Sequence, residues 1–170
     1  MELEARVSAL EARLTELTDR LAREGDPPGP APDPRTDMYW ALDGLRVRVG
    51  ELAGGAVLFT GTVDLPTGEH YDWQYGTPVE TLMDDDWAAW AGTLGALGHP
   101  VRLLLLHRVL AGVRTAADLA ADEGFGTTGQ LYHHLRQLVS AGWLHAARGQ
   151  YTVPGERVIP LLVILSGARR

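Results

Sequence analysis

A chain of 170 residues is long enough for one good core and an appendage. It has no cysteine, which excludes a disulfide framework, a zinc ribbon and thiolate metal sensing, and it shows neither a secretory apolar region nor the roughly 18-residue apolar run that a membrane span requires. A cytoplasmic protein is expected, although the net charge of −7 has the wrong overall sign for a nucleic-acid partner.

Leu3, Val7, Leu10, Leu14, Leu17 and Leu21 recur at alternating spacings of four and three. This is an a/d seam with Val or Leu at a and Leu at d, which favours a parallel two-stranded coil over residues 1–23. Arg6 at g and Glu11 at the following e form an attractive cross-strand pair in that register. About three heptads are marginal alone, so the coil would assist a dimer formed elsewhere or join dimers into a tetramer. The other reading is an amphipathic helix packed on its own domain. Residues 24–37 contain five prolines, which forbid helix and favour an extended, semi-rigid linker.

Residues 38–83 form an accessory segment. Tyr39, Trp40, Leu42, Leu45, Val49 and Leu52 predict an amphipathic helix, with Gly44 as a blemish. Residues 56–63 and 70–75 read as two strands of a hairpin, joined across 64–69. Tyr71, Trp73 and Tyr75 alternate onto one face. That row either offers a surface to a ligand or partner, or packs under the preceding helix or across a dimer. A short helix is predicted over 79–83. Asp84, Asp85 and Asp86 would point about 100° apart on a helix and so do not converge on a metal. They suit the electropositive start of a helix on which Trp87, Trp90, Leu94 and Leu97 continue an apolar stripe. Gly98, His99 and Pro100 break that helix, with Pro100 suited to the first position of the next. Residues 101–110 are apolar nearly all round, the pattern of a central buried helix.

The most informative stretch runs over 115–151. Thr115 with Asp118, and Thr127 with Gln130, have the spacing of reciprocal helix N-caps. Gly124 and Gly126 bracket Phe125, so the first helix can stop on a left-handed residue before the second starts at a steep angle. Helix, tight glycine turn and second helix make a helix-turn-helix. On the second helix Leu131, Leu135 and Leu138 fall on one stripe that must face a core, with Gly142 ending it. The opposite face carries Gly129, His133, Arg136 and Ser140, flanked by Gln130, Tyr132 and Gln137. Such a set suits a major groove: Arg forks onto guanine, Gln pairs with adenine, and His or Tyr reaches a base or phosphate. Gly129 lets the helix N-terminus approach a phosphate closely. The plainer reading is a solvated polar face. His134, nearer the apolar stripe, reads as structural.

The runs at 97–106, 117–120, 130–138, 141–144 and 148–151 together resemble the winged helix-turn-helix core of the arsenical-resistance repressor (ArsR) family, over residues 87–168. The resemblance implies a dimeric bacterial repressor of operator DNA, with the helix from Thr127 as recognition helix and 144–153 as a wing turning at Arg148 and Gly149. It also implies that helices outside the motif form the dimer interface, and many members of the family release DNA on sensing a ligand. Two departures stand out. Tyr132 occupies a place where the family usually has a small hydroxyl residue, and the Cys or His clusters of the metal-sensing members are missing.

The charge agrees once divided: residues 99–170 hold eight Arg against Asp118, Asp122, Glu123 and Glu156, a net of +4, and residues 1–98 carry −11. Residues 158–165 are apolar on every side and belong in a core or across a dimer interface. Neither the six His nor any other motif has metal-ligand spacing, a nucleophile elbow or a phosphate loop, so no enzyme activity and no cofactor are expected. The expected fold is mainly α (α+β): coil helix, linker, accessory segment, and a winged helix-turn-helix domain over 84–170. The expected function is a homodimeric, sequence-specific DNA-binding regulator, with double-stranded DNA and a second copy as partners and an effector left open. Its DNA-contacting residues would be Thr127, Thr128, Gly129, Gln130, Tyr132, His133, Arg136, Gln137, Arg148 and Gln150. The coil seam with Ile159 and Leu162 would serve dimerisation. The alternative is a winged-helix protein-interaction module acting through the coil and the aromatic hairpin.

Overall fold

The computed structural model describes residues 6–7, 13, 15–16, 39–50, 52 and 54–169, divided between a unit Met1–Arg48 and a unit Val49–Arg170. In the first, Arg6, Val7, Arg13, Thr15 and Glu16 are helical, and Val7 is exposed. Leu3, Leu10, Leu14, Leu17 and Leu21 of the expected coil, and the linker 24–37, lie outside the described residues. Helix α1 (Trp40–Val49) forms where the apolar spacing predicts one, but none of its residues is buried, and Trp40 and Val47 are well exposed.

The second unit is mixed helix and sheet. Strands β1 (Ala56–Asp64) and β2 (His70–Pro78) pair antiparallel from Ala56↔Pro78 to Asp64↔His70, and β2 runs three residues beyond the predicted end at Tyr75. In this register Val57, Phe59, Gly61 and Val63 share a face with Tyr71, Trp73 and Tyr75. Next come helix α2 (Val79–Asp84), a 3-10 turn over Trp87–Trp90, helix α3 (Ala91–Leu97) and helix α4 (Pro100–Leu110). Of the acidic triplet only Asp86 starts a helical turn, its carboxylate accepting from the Ala88 N–H at 3.0 Å, whereas Asp84 ends α2 and Asp85 is that helix's C-cap. The stripe that follows is only partly used. Leu97 is buried, whereas Trp87, Trp90 and Leu94 are half or more exposed.

Helix α4 starts on Pro100, with the His99 ring accepting from the Val101 N–H, and buries Leu105, Leu106 and Val109. It is not buried all round as its sequence suggests, because Leu104 and His107 face outward. Its end is a Schellman motif: Gly112 has φ 101°, its N–H reaches the Val109 carbonyl, and the Val113 N–H reaches that of Arg108. Helix α5 (Ala116–Ala120), a 3-10 turn at Glu123–Phe125 and helix α6 (Thr128–Ser140) follow. A second Schellman motif closes α6, with Gly142 at φ 73° and the Trp143 N–H on the Leu138 carbonyl at 2.9 Å. Strands β3 (His145–Ala147) and β4 (Gln150–Thr152) form a short hairpin, and helix α7 (Gly155–Gly167) ends the unit.

The core lies between α4, α6 and the first turns of α7, with Leu119, Phe125, Trp143 and Val158 filling it. Trp143 is 1% exposed, and its indole N–H satisfies the Thr93 carbonyl at 2.8 Å, joining α3 to the end of α6. Helix α7 is divided along its length. Val158, Ile159 and Leu161 are buried within the single chain, Leu162 is half-buried, and Ile164 and Leu165 are exposed. Ile159, expected at a dimer interface, instead packs on the hairpin at Gly61, where an added Cβ would stand 2.8 Å from its Cγ2. Among the described residues no helix is long and apolar enough to cross a membrane.

Gly61→Ala should therefore cost about 1–3 kcal/mol by overpacking, measured by urea denaturation. Ile159→Ala should cost roughly 2–5 kcal/mol. The double substitution should cost clearly less than the sum, because the new methyl enters the space the isoleucine leaves; strict additivity would show that the two residues do not touch.

Candidate nucleic-acid interface

The short segment before α6 sets the direction of that helix. Helix α5 ends at Ala121 in the ordinary right-handed region, and the 3-10 turn carries the chain onward. Of the two glycines that bracket Phe125, Gly124 lies within the 3-10 turn and has no positive φ. The positive φ falls on Gly126 alone (φ 76°, ψ −146°), a conformation that L side chains rarely adopt. A Cβ there would also collide with the Gln130 side chain. That side chain is committed: the Thr127 N–H donates to Gln130 Oε1 at 2.8 Å while the Thr127 hydroxyl accepts from the Gln130 N–H, a complete capping box. At Thr115 the reciprocity is only half present. The hydroxyl accepts from the Asp118 N–H, but the Asp118 carboxylate takes the hydroxyl proton rather than the backbone one.

Helix α6 separates its faces as the spacing predicts. Leu131, Leu135 and Leu138 are 1%, 0% and 0% exposed. Thr127, Thr128, Gly129, Gln130, Tyr132, His133, Arg136 and Gln137 are all exposed. Two of these are less free than sequence suggests. Gln130 holds the cap, and Gln137 accepts from Arg102 at 2.5 Å. Arg102 also donates to the carbonyls of Gly95 and Ala96 at the end of α3, so it clamps α3, α4 and α6 together. Nothing local in the sequence marks Arg102 for this role, since its partner Gln137 lies 35 residues away.

Arg148 and Gly149 both have positive φ, 52° and 76°, the two-residue type I′ turn that matches strand twist. This turn puts Arg148 at the tip of the β3–β4 hairpin, with Gln150 exposed beside it. The base of the hairpin is tied to the chain before α5 by the Tyr151 N–H on the Arg114 carbonyl at 2.7 Å and by the bridge Thr115↔Gln150. Among the described residues Arg136 and Arg148 have no ion-pair partner, whereas Arg108 pairs with Asp122 and Arg114 with Glu69. Of the aromatic row, Tyr71 is half-buried against Gly155 and Trp73 and Tyr75 are exposed.

The two adjacent histidines point apart. His133 faces outward, while the His134 ring lies 4.6 Å from that of His99, tilted by 41°, and buries its Nδ1 without a hydrogen-bond partner among the described residues. Burial, and then the nearby His99, Arg102 and His133, hold His134 below the ordinary value of 6.5. His70 is the opposite case: hydrogen bonds to Asp64 and then Asp72 raise it above 6.5. Among the described residues there is no group of three or more His, Cys, Asp or Glu placed to hold a metal ion.

Compared with models of known protein families and with characterised proteins, the chain matches none.

In a proton NMR titration His70 should titrate above, and His134 below, the ordinary histidine value. The signs follow from linkage. The fold binds His134 as the neutral form, so stability from this site is present above the unfolded value and is lost as pH falls through the depressed one. The His70 contribution is present below the unfolded value and is lost as pH rises through the raised one. Coincident midpoints would sink both assignments. Thr127→Ala should remove one side of the capping box and cost about 1 kcal/mol in thermal or urea unfolding.

Proposed function

We propose that this chain is a homodimeric, sequence-specific DNA-binding regulator, acting as a repressor, with a winged helix-turn-helix similar to that of the ArsR family. In this reading α5 and α6 are the helix-turn-helix, α6 enters the major groove, and the β3–β4 hairpin is the wing. The observation that carries it is the division of α6: one face is committed to the core, and the other presents Gly129, Tyr132, His133 and Arg136, which has no ion-pair partner among the described residues. Arg148 on the turn of the hairpin supplies a second free cation for backbone or minor groove. The +4 charge of residues 99–170 has the sign that phosphate requires. A two-fold dimer would read half-sites about one helical turn apart. Exposed Trp87, Trp90 and Leu94 offer apolar surface for the second copy.

A second reading, a winged-helix module for protein partners with little or no DNA binding, is favoured by a different observation. The hairpin leaves Trp73 and Tyr75 exposed, in a half of the chain with a net charge of −11.

Fluorescence anisotropy against the DNA upstream of the chain's own gene and a scrambled duplex separates the two. A regulator should prefer the former by about a thousandfold or more and lose affinity steeply as salt rises. Weak binding without preference, abolished by salt, would favour the protein module. Arg136→Ala should cost about 1–3 kcal/mol and relax preference at one base position; an equal loss on every sequence would demote Arg136 to a phosphate contact.

A further inference from the structure

Between the hairpin β1–β2, the end of α4 and the start of α7 lies an open cleft of about 450 Å³, within the range of small-molecule sites. Its apolar wall includes Leu65, Tyr71, Val109 and Val153. Its charged groups are unequal. Glu69 and Arg114 neutralise each other, with Arg114 donating to both carboxylate oxygens at 2.6 and 2.8 Å. Glu156, also on the wall, is exposed and has no cation paired with it among the described residues. The cleft is therefore a slot lined about equally by polar and apolar groups, His145 and Thr152 among the polar ones, with one carboxylate, Glu156, that has no cation paired with it among the described residues. Tyr71 forms one side at close quarters with the chain: a Cβ on Gly155 would stand 3.1 Å from its ring.

We propose that this cleft binds a small amphipathic organic cation, an amine with an aromatic or aliphatic body. The body would lie on Tyr71 and the aliphatic wall, and the ammonium would face Glu156, where both the free carboxylate and the Tyr71 ring favour positive charge. An anion would have to displace Glu69 from Arg114 and would meet the like charge of Glu156. The position connects the ligand to the rest of the unit, because Arg114 on its wall accepts from the Tyr151 N–H of the β3–β4 hairpin and immediately precedes the cap of α5. Occupancy would therefore bear on the placement of both elements. That consequence rests on the DNA-binding reading; the ligand site itself does not.

The test uses the full chain without DNA. The protein, labelled with ¹⁵N, is titrated with 2-phenylethylamine, and in parallel with 2-phenylethanol and phenylacetate, which keep the ring and replace the ammonium by a neutral or anionic group. The amine should bind saturably, shifting the backbone signals of Tyr71, Arg114 and Glu156 above all. Phenylethanol should bind more weakly and phenylacetate least. Glu156→Gln, an exposed and nearly isosteric change, should weaken the amine roughly three- to fivefold, as for a solvent-exposed ion pair. Equal binding of amine and alcohol, tighter binding of the carboxylate, shifts centred elsewhere, or no saturable binding would each overturn the proposal. Repeating the anisotropy measurement with the amine present keeps the two readings apart. A protein that binds the amine but no duplex fails the DNA-binding reading alone, and one that binds its duplex but not the amine fails only this one.

Discussion

The second unit depends on how the leucine stripe of α6 meets α4. Leu131, Leu135 and Leu138 are essentially removed from solvent, as are Leu105 and Leu106 of α4. Each leucine buried in this way contributes roughly 1.5–3 kcal/mol relative to an exposed one. Turning α6 about its axis by one residue, about 100°, would bring those leucines into water. It would also carry residues of the outward set, Arg136 among them, toward a core that contains no buried polar or charged side chain among the described residues. An unpaired charge in such surroundings costs several kcal/mol. The core therefore selects which residues α6 shows to the outside as firmly as it selects which ones it hides.

Rotation alone would not fix the helix; its ends fix its position along the axis. The capping box at Thr127 and Gln130 consumes orphan donors at the start. The Schellman motif at Gly142 consumes orphan carbonyls at the finish, and it delivers Trp143 directly into the core. Arg157 lies 5.0 Å above the centre of the Trp143 ring, so the first turn of α7 closes over the same point. Packed along its leucine face and capped at both ends, α6 presents its exposed polar side chains from a defined position.

These local devices are the part of the structure that can be read from sequence, because each is written within a short run of chain. The leucine spacing, the Thr127–Gln130 cap, the Gly142 stop and the strand pair around 64–69 all have local causes, whereas the turn at Arg148 and Gly149 is expected from the family resemblance. The remainder comes from residues distant in sequence. Arg102 with Gln137, Glu69 with Arg114, and Thr93 with Trp143 are separated by 35, 45 and 50 positions, and periodicity carries no trace of them. The same holds for His99 against His134: spacing assigns His134 to the inner side of α6, but only the fold supplies the second ring. Where local signals compete, the tertiary environment decides. Gly124 and Gly126 are equally able to adopt a left-handed conformation, and only Gly126 does so, because a 3-10 turn already reverses the chain before it. Residues 158–165 are uniformly apolar, so their sequence alone cannot show that full burial stops at Leu161 and that Ile164 and Leu165 are exposed.

The β1–β2 hairpin shows how a segment that reads as an accessory becomes part of the core. Its ion pair to the rest of the unit, Glu69 with Arg114, has side chains 38% and 30% exposed, and a pair so accessible contributes about 1 kcal/mol or less. Charge therefore does not hold the hairpin in place. Contact does: Ile159 fills the position a side chain at Gly61 would occupy, and Tyr71 lies against Gly155, so two glycines admit the close approach of α7 to the sheet. The ion pair links the loop after β1 to Arg114, whose carbonyl accepts from the Tyr151 N–H at the base of the β3–β4 hairpin. Since Arg114 engages Glu69 through its side chain and Tyr151 through its carbonyl, a displacement of the loop would be felt at the short hairpin without passing through the leucine core.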